Sequence, residues 1–535
     1  MEDKDKKSEE INMVQNQKPD MAADTFTDAL LLEESPVVQA GYFKIFGLSS
    51  LLYAVVYTVC MFQNSSGITM PVWIAATVCY ACITMRQMPV CGVFGQALPN
   101  EANEPVHAGG ICSRLRSGSL FYIVVMLLLG IATCSTDNLY MIGFNYLGFF
   151  VMLVLFLLHN FYDDSQWDFL KGIAEMMNAA FGAVGCMLVP FMDGYAYCRE
   201  KNVRKNKTLR AVLLGMFLAV PCLLFLGFCL MCADAVFDAM VMRLLSGLRV
   251  PVKVLEVVCM LLFGYFSSYC GMRYLSRRSR IAPQSQQMRF DAVIAMTFTG
   301  MLLVMYVVFC GIQVLYLFAG NGRLPDGMTY AAYAQRGFYM LLFVCLANLM
   351  LVLLIRKYFA QCKLLDGMLL LVCACTFLMI ASSAYRMFLY IESYQLTFLR
   401  VLVLAALLVL AFLMAGVAVM IVMPRFSLFR YSLVVVSVVY LCLAFVHVDF
   451  VVASYNLSHA AKNAATMDWQ YLSRLSLDAA PAAADYYENA SAAEREQIEA
   501  DWFLEYKDKV FAAKRDMGIR NLNFSRYRAV RVFEK

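Results

Sequence analysis

Six polar residues have the types that could do chemistry together: Arg336, Arg386, Glu392, Arg400, Asp449 and Asn456. An arginine fork matches a phosphate, so Arg336 and Arg400 could hold a phosphorylated group. Glu392 and Asp449 add carboxylates, and Asn456 adds an amide that both donates and accepts. Arg386 and Glu392 stand six residues apart. That is about 240° around an ideal helix, so they share no face unless the helix breaks between them. Asp449 is the alternative partner for Arg386. A charge at the centre of an apolar helix costs ~2.5–3.5 kcal/mol and much less near an interface. The plainer reading is therefore a structural clamp with snorkelling side chains.

Other signals are weaker. Cys79-x-x-Cys82 and Cys229-x-x-Cys232 have redox or metal spacing, but both lie in apolar stretches without a nearby histidine. The 19 cysteines fall between Cys60 and Cys442 and read as small buried hydrophobes, with no disulfide framework. His447 and Asp449 cannot form the i, i+4 metal pair of a helix, and 4 histidines in all argue against a metal centre. Lys253 and Glu256 suit a local ion pair, and Asn348 is placed to bond a neighbouring helix. There is no phosphate-binding glycine loop, no nucleophile elbow and no histidine pair on one helix face. No catalytic residue, cofactor or metal is expected.

The elements that must position these residues are apolar stretches of membrane-spanning length. About 18 apolar residues suffice to cross the ~30 Å hydrocarbon layer as a helix. Eleven such stretches follow one another: 45–62, 68–85, 118–134, 139–161, 211–232, 252–272, 292–320, 337–355, 367–385, 401–423 and 431–448. With 61% hydrophobic and 16% charged residues, the fold class is all-α, a polytopic helical membrane protein. The expected organisation is a disordered acidic tail over 1–40, a transmembrane domain over 41–450 and a small extramembrane helical module over 451–535. Met176 to Met192 is apolar too, and Gly182, Gly185 and Pro190 favour a bent re-entrant or interfacial helix there. Val236 to Leu248 has apolar residues at helical spacing with charges between them, the pattern of a helix in the interface plane.

Bases cluster in alternate loops, around Arg86 to Arg116, Lys171 to Arg210, Arg273 to Arg289, Arg356 to Lys363 and Arg425 to Arg430. Positive loops are retained in the cytoplasm. The expected site is therefore a bacterial inner membrane, with the N-terminus inside and the C-terminal module on the periplasmic or outer face. The basic balance reflects these loops and not a nucleic-acid partner; the partners are the bilayer and a protein at the outer face. The first 40 residues hold ten acids and four bases and too few apolar residues for a core. In the C-terminal stretch, Asp468 to Leu475 suggests a short helix ending near Pro481. Ser491 with Glu494 makes a capping box, and Ile498, Trp502, Tyr506 and Val510 mark one helix face. About 85 residues is little for a self-sufficient core, so this module should dock on the outer loops.

Three runs suggest a family: Tyr330-Ala-Ala-Tyr-Ala-Gln-Arg-Gly-Phe338, with Tyr333, Gly337 and Phe338; Tyr385 to Arg400, with Tyr390; and Asp468 to Ala479, with Asp478. With the closing Asn521-Leu-Asn-Phe-Ser-Arg-Tyr-Arg-Ala529, they make the chain resemble a bacterial membrane-protein family known only as a domain of unknown function, the four-thousand-one-hundred-seventy-three group. The motifs cover roughly 290–535; the first half matches in hydropathy alone. Where that family often has Gly after the tyrosine, this chain has Gln395 after Tyr394. The resemblance implies an architecture and no activity. The functional expectation is a non-enzymatic membrane scaffold with a working outer face. The alternatives are a small-molecule transporter and an enzyme acting on a lipid-linked substrate.

Overall fold

In a computed structural model, the described residues are 36–90, 115–162, 167–200, 230–247, 252–277, 289–315, 330–460, 467–515 and 517–534, with Asp164 and isolated positions from 215 to 227. The first 35 residues and most of the expected 211–232 span lie outside them, as do the side chains of Tyr333, Arg336 and Phe338. The fold is helical throughout; the described residues form no strand beyond a single bridge between Phe290 and Phe359.

Eight described helices are long and apolar enough to cross a membrane. They are α1 (Pro36–Met61), α4 (Leu139–Phe161), α8 (Val252–Arg277), α9 (Ala292–Gln313), α10 (Tyr330–Tyr358), α11 (Lys363–Tyr394), α12 (Phe398–Val422) and α13 (Leu428–Phe445). Two more, α2 (Thr69–Val90) and α3 (Ser119–Ser135), run beside them. These helices carry large apolar side chains on their outer faces. In α9, Met301, Val304 and Val308 are 77%, 69% and 59% exposed. A surface of that kind is stable against lipid and not against water. The chain is thus an integral, multi-pass membrane protein.

The helices form two packed groups, α1 to α4 with α8, and α9 to α12, with α13 resting on both α3 and α12. Their polar cross-links use the side chains that tolerate apolar surroundings only when paired. Asn348 bridges two neighbours, accepting from the Tyr306 hydroxyl at 2.5 Å and donating to Thr376 Oγ1 at 3.0 Å.

The apolar segment 176–192 is not a continuous helix. It is divided between α5 (Phe169–Gly185) and α6 (Val189–Glu200), bent by 57°. The break follows Gly185, and Pro190 sits in the first turn of α6, where its missing N–H costs nothing. Gly172 of α5 lies against Phe429 at the start of α13, and Gly182 against Tyr274 near the end of α8. A Cβ at Gly182 would stand 2.1 Å from that ring. Both contacts belong to one end of the bundle, so α5 runs along that end, as an interfacial helix does. Glu200 stands at this end and Val252 at the other. The helix α7 (Ala235–Gly247) keeps Val236 and Met240 exposed, as an in-plane apolar face requires.

The C-terminal stretch continues from α13 into α14 (Val448–Ser458), then α15 (Trp469–Arg474), α16 (Ala480–Asn489), α17 (Ala492–Ile498), α18 (Leu504–Arg515) and α19 (Phe524–Phe533). Pro481 opens α16 and does not close the helix before it; the Asp468-capped helix stops at Arg474. Glu494 Oε2 accepts from the Ser491 N–H at 2.8 Å, the reciprocal half of the capping box. Ile498, Trp502, Tyr506 and Val510 are all buried. They belong to the same apolar core as Leu369, Val403 and Val452, so the C-terminal module and the second helix group share one interior.

Candidate functional site

The module sits on the loops at one end of the bundle, and the carboxylates there are the points of attachment. Thr136, Asp137 and Asn138 form the three-residue connection between α3 and α4. Asp478 Oδ2 accepts from Thr136 Oγ1 at 2.5 Å, and its Oδ1 accepts from the Asp137 N–H at 2.9 Å and from Ser525. His447 Nδ1 lies 3.8 Å from Asp478 Oδ2. Asp449 Oδ2 accepts from Asn138 Nδ2 at 2.8 Å and the Ser476 N–H at 3.0 Å. Arg526 Nε meets Asp137 Oδ1 at 2.6 Å, and Asn523 Nδ2 donates to the carbonyls of Ser66 and Thr136. One buried seam thus joins three loops, α14 and the closing Asn521–Ala529 run.

The electrostatics follow from burial and charge. Burial works to raise the Asp478 carboxyl, but the bonds from His447, Ser525, Thr136 and the Asp137 backbone outweigh it and hold it below the usual carboxylate value. Burial pushes the Tyr506 phenol well above its ordinary value, and the neighbouring Asp478, Asp449 and Asp137 add to this. Tyr506 accordingly acts as a donor, to the Ser476 carbonyl at 2.7 Å. Desolvation pulls Lys509 down while Asp137, Asp449 and Glu505 work against it. Asp449 Oδ1 and Ser476 Oγ are buried without a hydrogen-bond partner among the described residues.

The six expected site residues divide. Asn456 clamps the chain between α11 and α12 like a strand neighbour, accepting from the Leu396 N–H and donating to its carbonyl, both at 2.9 Å. Arg400 is engaged by the Tyr394 and Gln395 carbonyls and lies over the Tyr390 ring, 4.2 Å from its centre. Asp449 belongs to the seam. Arg386 does not pair with Asp449: its Nη2 donates to Gln313 Oε1 at 3.0 Å, which Ser382 also holds at 2.7 Å. Arg386 stands eight residues before the end of α11, about 12 Å below it at ~1.5 Å per residue. The Gln313 amide thus gives the guanidinium a polar neighbour at this depth. Glu392 is exposed. Arg336 and Gly337 lie on the helical backbone of α10 at this same end.

Gln395 carries strain. Its φ of 70° and ψ of 174° fall in a region that is nearly glycine-only. Gln395→Gly is expected to stabilise the protein by ~1 kcal/mol, the relief of ~1–3 kcal/mol of strain less the freedom glycine adds to the unfolded chain. The thermal midpoint in detergent measures it, and Gln395→Ala, which keeps the Cβ, should give no gain.

Two buried charge groups were not expected. Arg273 Nε meets Asp193 Oδ2 at 2.9 Å, both side chains fully buried, and Tyr269 donates to the same oxygen at 2.9 Å. The Arg273 guanidinium also lies 3.7 Å from the centre of the Tyr42 ring. At the same end of the bundle, His159 Nδ1 faces Asp164 Oδ2 at 2.7 Å and its Nε2 faces the Ser117 carbonyl at 3.0 Å, with Arg116 and Arg430 beside Asp164. Arg273 directly follows the 252–272 stretch and reads as a loop base, and Asp193 directly follows 176–192; the structure places Arg273 inside α8. Those were the available signals; their pairing was not.

Among the described residues no group of three or more His, Cys, Asp or Glu could hold a metal ion, and the described cysteines are free thiols. A family model described as a domain of unknown function, DUF4153, matches residues 123–486. The likeness to a family of unknown function thus holds, the four-thousand-one-hundred-seventy-three group itself is not shown, and the match begins far earlier than residue 290 and stops before the closing Asn521–Ala529 run. No curated protein and no solved structure matches the chain.

Proposed function

The chain belongs to the DUF4153 family, a domain of unknown function, and from that premise we propose that it is a non-enzymatic membrane scaffold whose module-bearing end binds a protein partner. The observation that carries this reading is the seam: Asp478 ties the 136–138 loop to α19, Asp449 ties α14 to the same loop and Asn523 ties in the Ser66 loop, so the module is a fixed part of that face. A rigid, pre-organised surface suits binding. The bases Arg116, Arg356, Lys357 and Arg430 stand at the opposite end, which supports a cytoplasmic placement of that end in a bacterial inner membrane and an outer placement of the module.

A transporter is the second reading, favoured by the buried Asp193–Arg273 and Arg386–Gln313 groups. Complementation of a deletion strain separates the two. Leu504, Glu505 and Asp508 form an exposed patch on α18. Leu504→Asp with Glu505→Lys should abolish complementation while the protein inserts at normal levels. If that variant complements fully and a stable Asp193→Asn/Arg273→Met variant does not, the scaffold reading fails and the transporter reading takes its place.

A further inference from the structure

The surface of the closing run points away from the seam. In α19, Ser525, Ala529 and Val530 are buried, whereas Phe524, Tyr527, Arg528 and Arg531 are exposed. The exposed four are spaced i, i+3, i+4 and i+7, so they form one stripe. Just before it, Ile519 is 92% exposed and is followed by exposed Arg520. From Lys514 to Phe533 the sequence carries six bases and one acid. Lys514 is taken by Glu534 and Arg526 by Asp137, while Arg515, Arg528 and Arg531 stand on the surface.

The height of this surface is set by Arg520. Its Nη2 donates to the carbonyls of Val59 in the last turn of α1 at 2.7 Å and of Phe62 just past it at 2.9 Å. Val55, Val56 and Val59 of that helix are exposed right up to this turn, so lipid reaches it. The loop 517–523 therefore lies where hydrocarbon gives way to headgroups. An isoleucine, aromatic rings and arginines at that level match the residues that settle at a membrane interface, rings in the boundary and guanidiniums among the phosphates.

We infer that Ile519, Phe524 and Tyr527 insert into the bilayer interface and that Arg528 and Arg531 bind the headgroups of anionic phospholipids. Continuity with the lipid-facing side of α1 and the surplus of positive charge commit this surface to the bilayer and not to a protein.

The test uses the full chain in nanodiscs. Ile519→Trp adds an indole to the 4 native tryptophans, and its emission is read as the difference from the unaltered protein. Brominated acyl chains should quench the added indole strongly and aqueous iodide weakly; iodide quenching without bromolipid quenching overturns the insertion. Preference for phosphatidylglycerol over phosphatidylcholine is read by mass spectrometry of retained lipid. Arg528→Gln/Arg531→Gln should lower it ~30-fold, from the typical worth of a base at an anionic surface, and Arg528→Lys/Arg531→Lys should keep it. An unchanged preference in a well-folded glutamine variant overturns the headgroup assignment.

Discussion

Asp193→Asn is expected to destabilise the protein by ~3–5 kcal/mol, because it takes from the buried Arg273 guanidinium the carboxylate that its Nε meets at 2.9 Å. Both side chains are fully buried, so water cannot replace the lost partner. The Tyr42 ring and the Tyr269 hydroxyl do not replace a carboxylate. The ring's attraction for a cation is weaker than a carboxylate's, and the hydroxyl already donates to the oxygen that is changed. The thermal midpoint in detergent, followed by size-exclusion chromatography, measures the loss. Arg273→Met should be costly for the mirror reason. The double variant Asp193→Asn/Arg273→Met should be less destabilised than the sum of the two. Additive losses would mean that the charges do not depend on each other. The pair joins α6 to α8, so its loss should free the bent α5–α6 segment from the end of the bundle.

Gly67→Ala should release the closing run. A Cβ there would stand 2.2 Å from the Arg520 carbonyl oxygen and 2.8 Å from the Asn521 Cα. Both are backbone atoms and cannot swing aside. The run must lift, and with it go the bonds Ile68 N–H to Leu522 carbonyl, Asn64 Nδ2 to Arg520 carbonyl and Asn523 Nδ2 to Ser66 carbonyl. At about 1 kcal/mol for each net bond, losing all three raises local opening ~150-fold. Limited proteolysis between Arg515 and Asn523 reads this directly, and unchanged protection would show that the loop around Gly67 yields instead. Acid reaches the same seam through Asp478. Its folded value is depressed, so the folded protein binds fewer protons than the unfolded chain. That contribution is fully present above the usual 3.8 and is lost as pH falls through the lower folded value. Mildly acidic conditions should therefore leave the module docked.

These expectations mix what the sequence could say with what it could not. Apolar length alone marked the stretches 139–161, 292–320 and 401–423, where α4, α9 and α12 stand, because a lipid-facing helix needs no knowledge of its neighbours. The capping box at Ser491 and Glu494 and the buried face from Ile498 to Val510 are local patterns and were legible for the same reason. Partner choice was not. Arg386 takes Gln313, 73 residues away, and Asp478 takes Thr136 and Ser525, 342 and 47 residues away. Periodicity says which side of a helix faces inward, but two charges find each other only when packing brings their helices into register.

The sequence by itself determined the membrane class, the run of apolar helices and the amphipathic character of the C-terminal module. Each follows from the free energy of placing single side chains in lipid or water. Only the tertiary structure decided that α5 lies along one end of the bundle, that Asp193 neutralises Arg273 and that Asp137, Asp449 and Asp478 fasten the module. Each of those depends on how close distant segments approach, and glycines at 67 and 182 set that approach by what they lack, which composition cannot report.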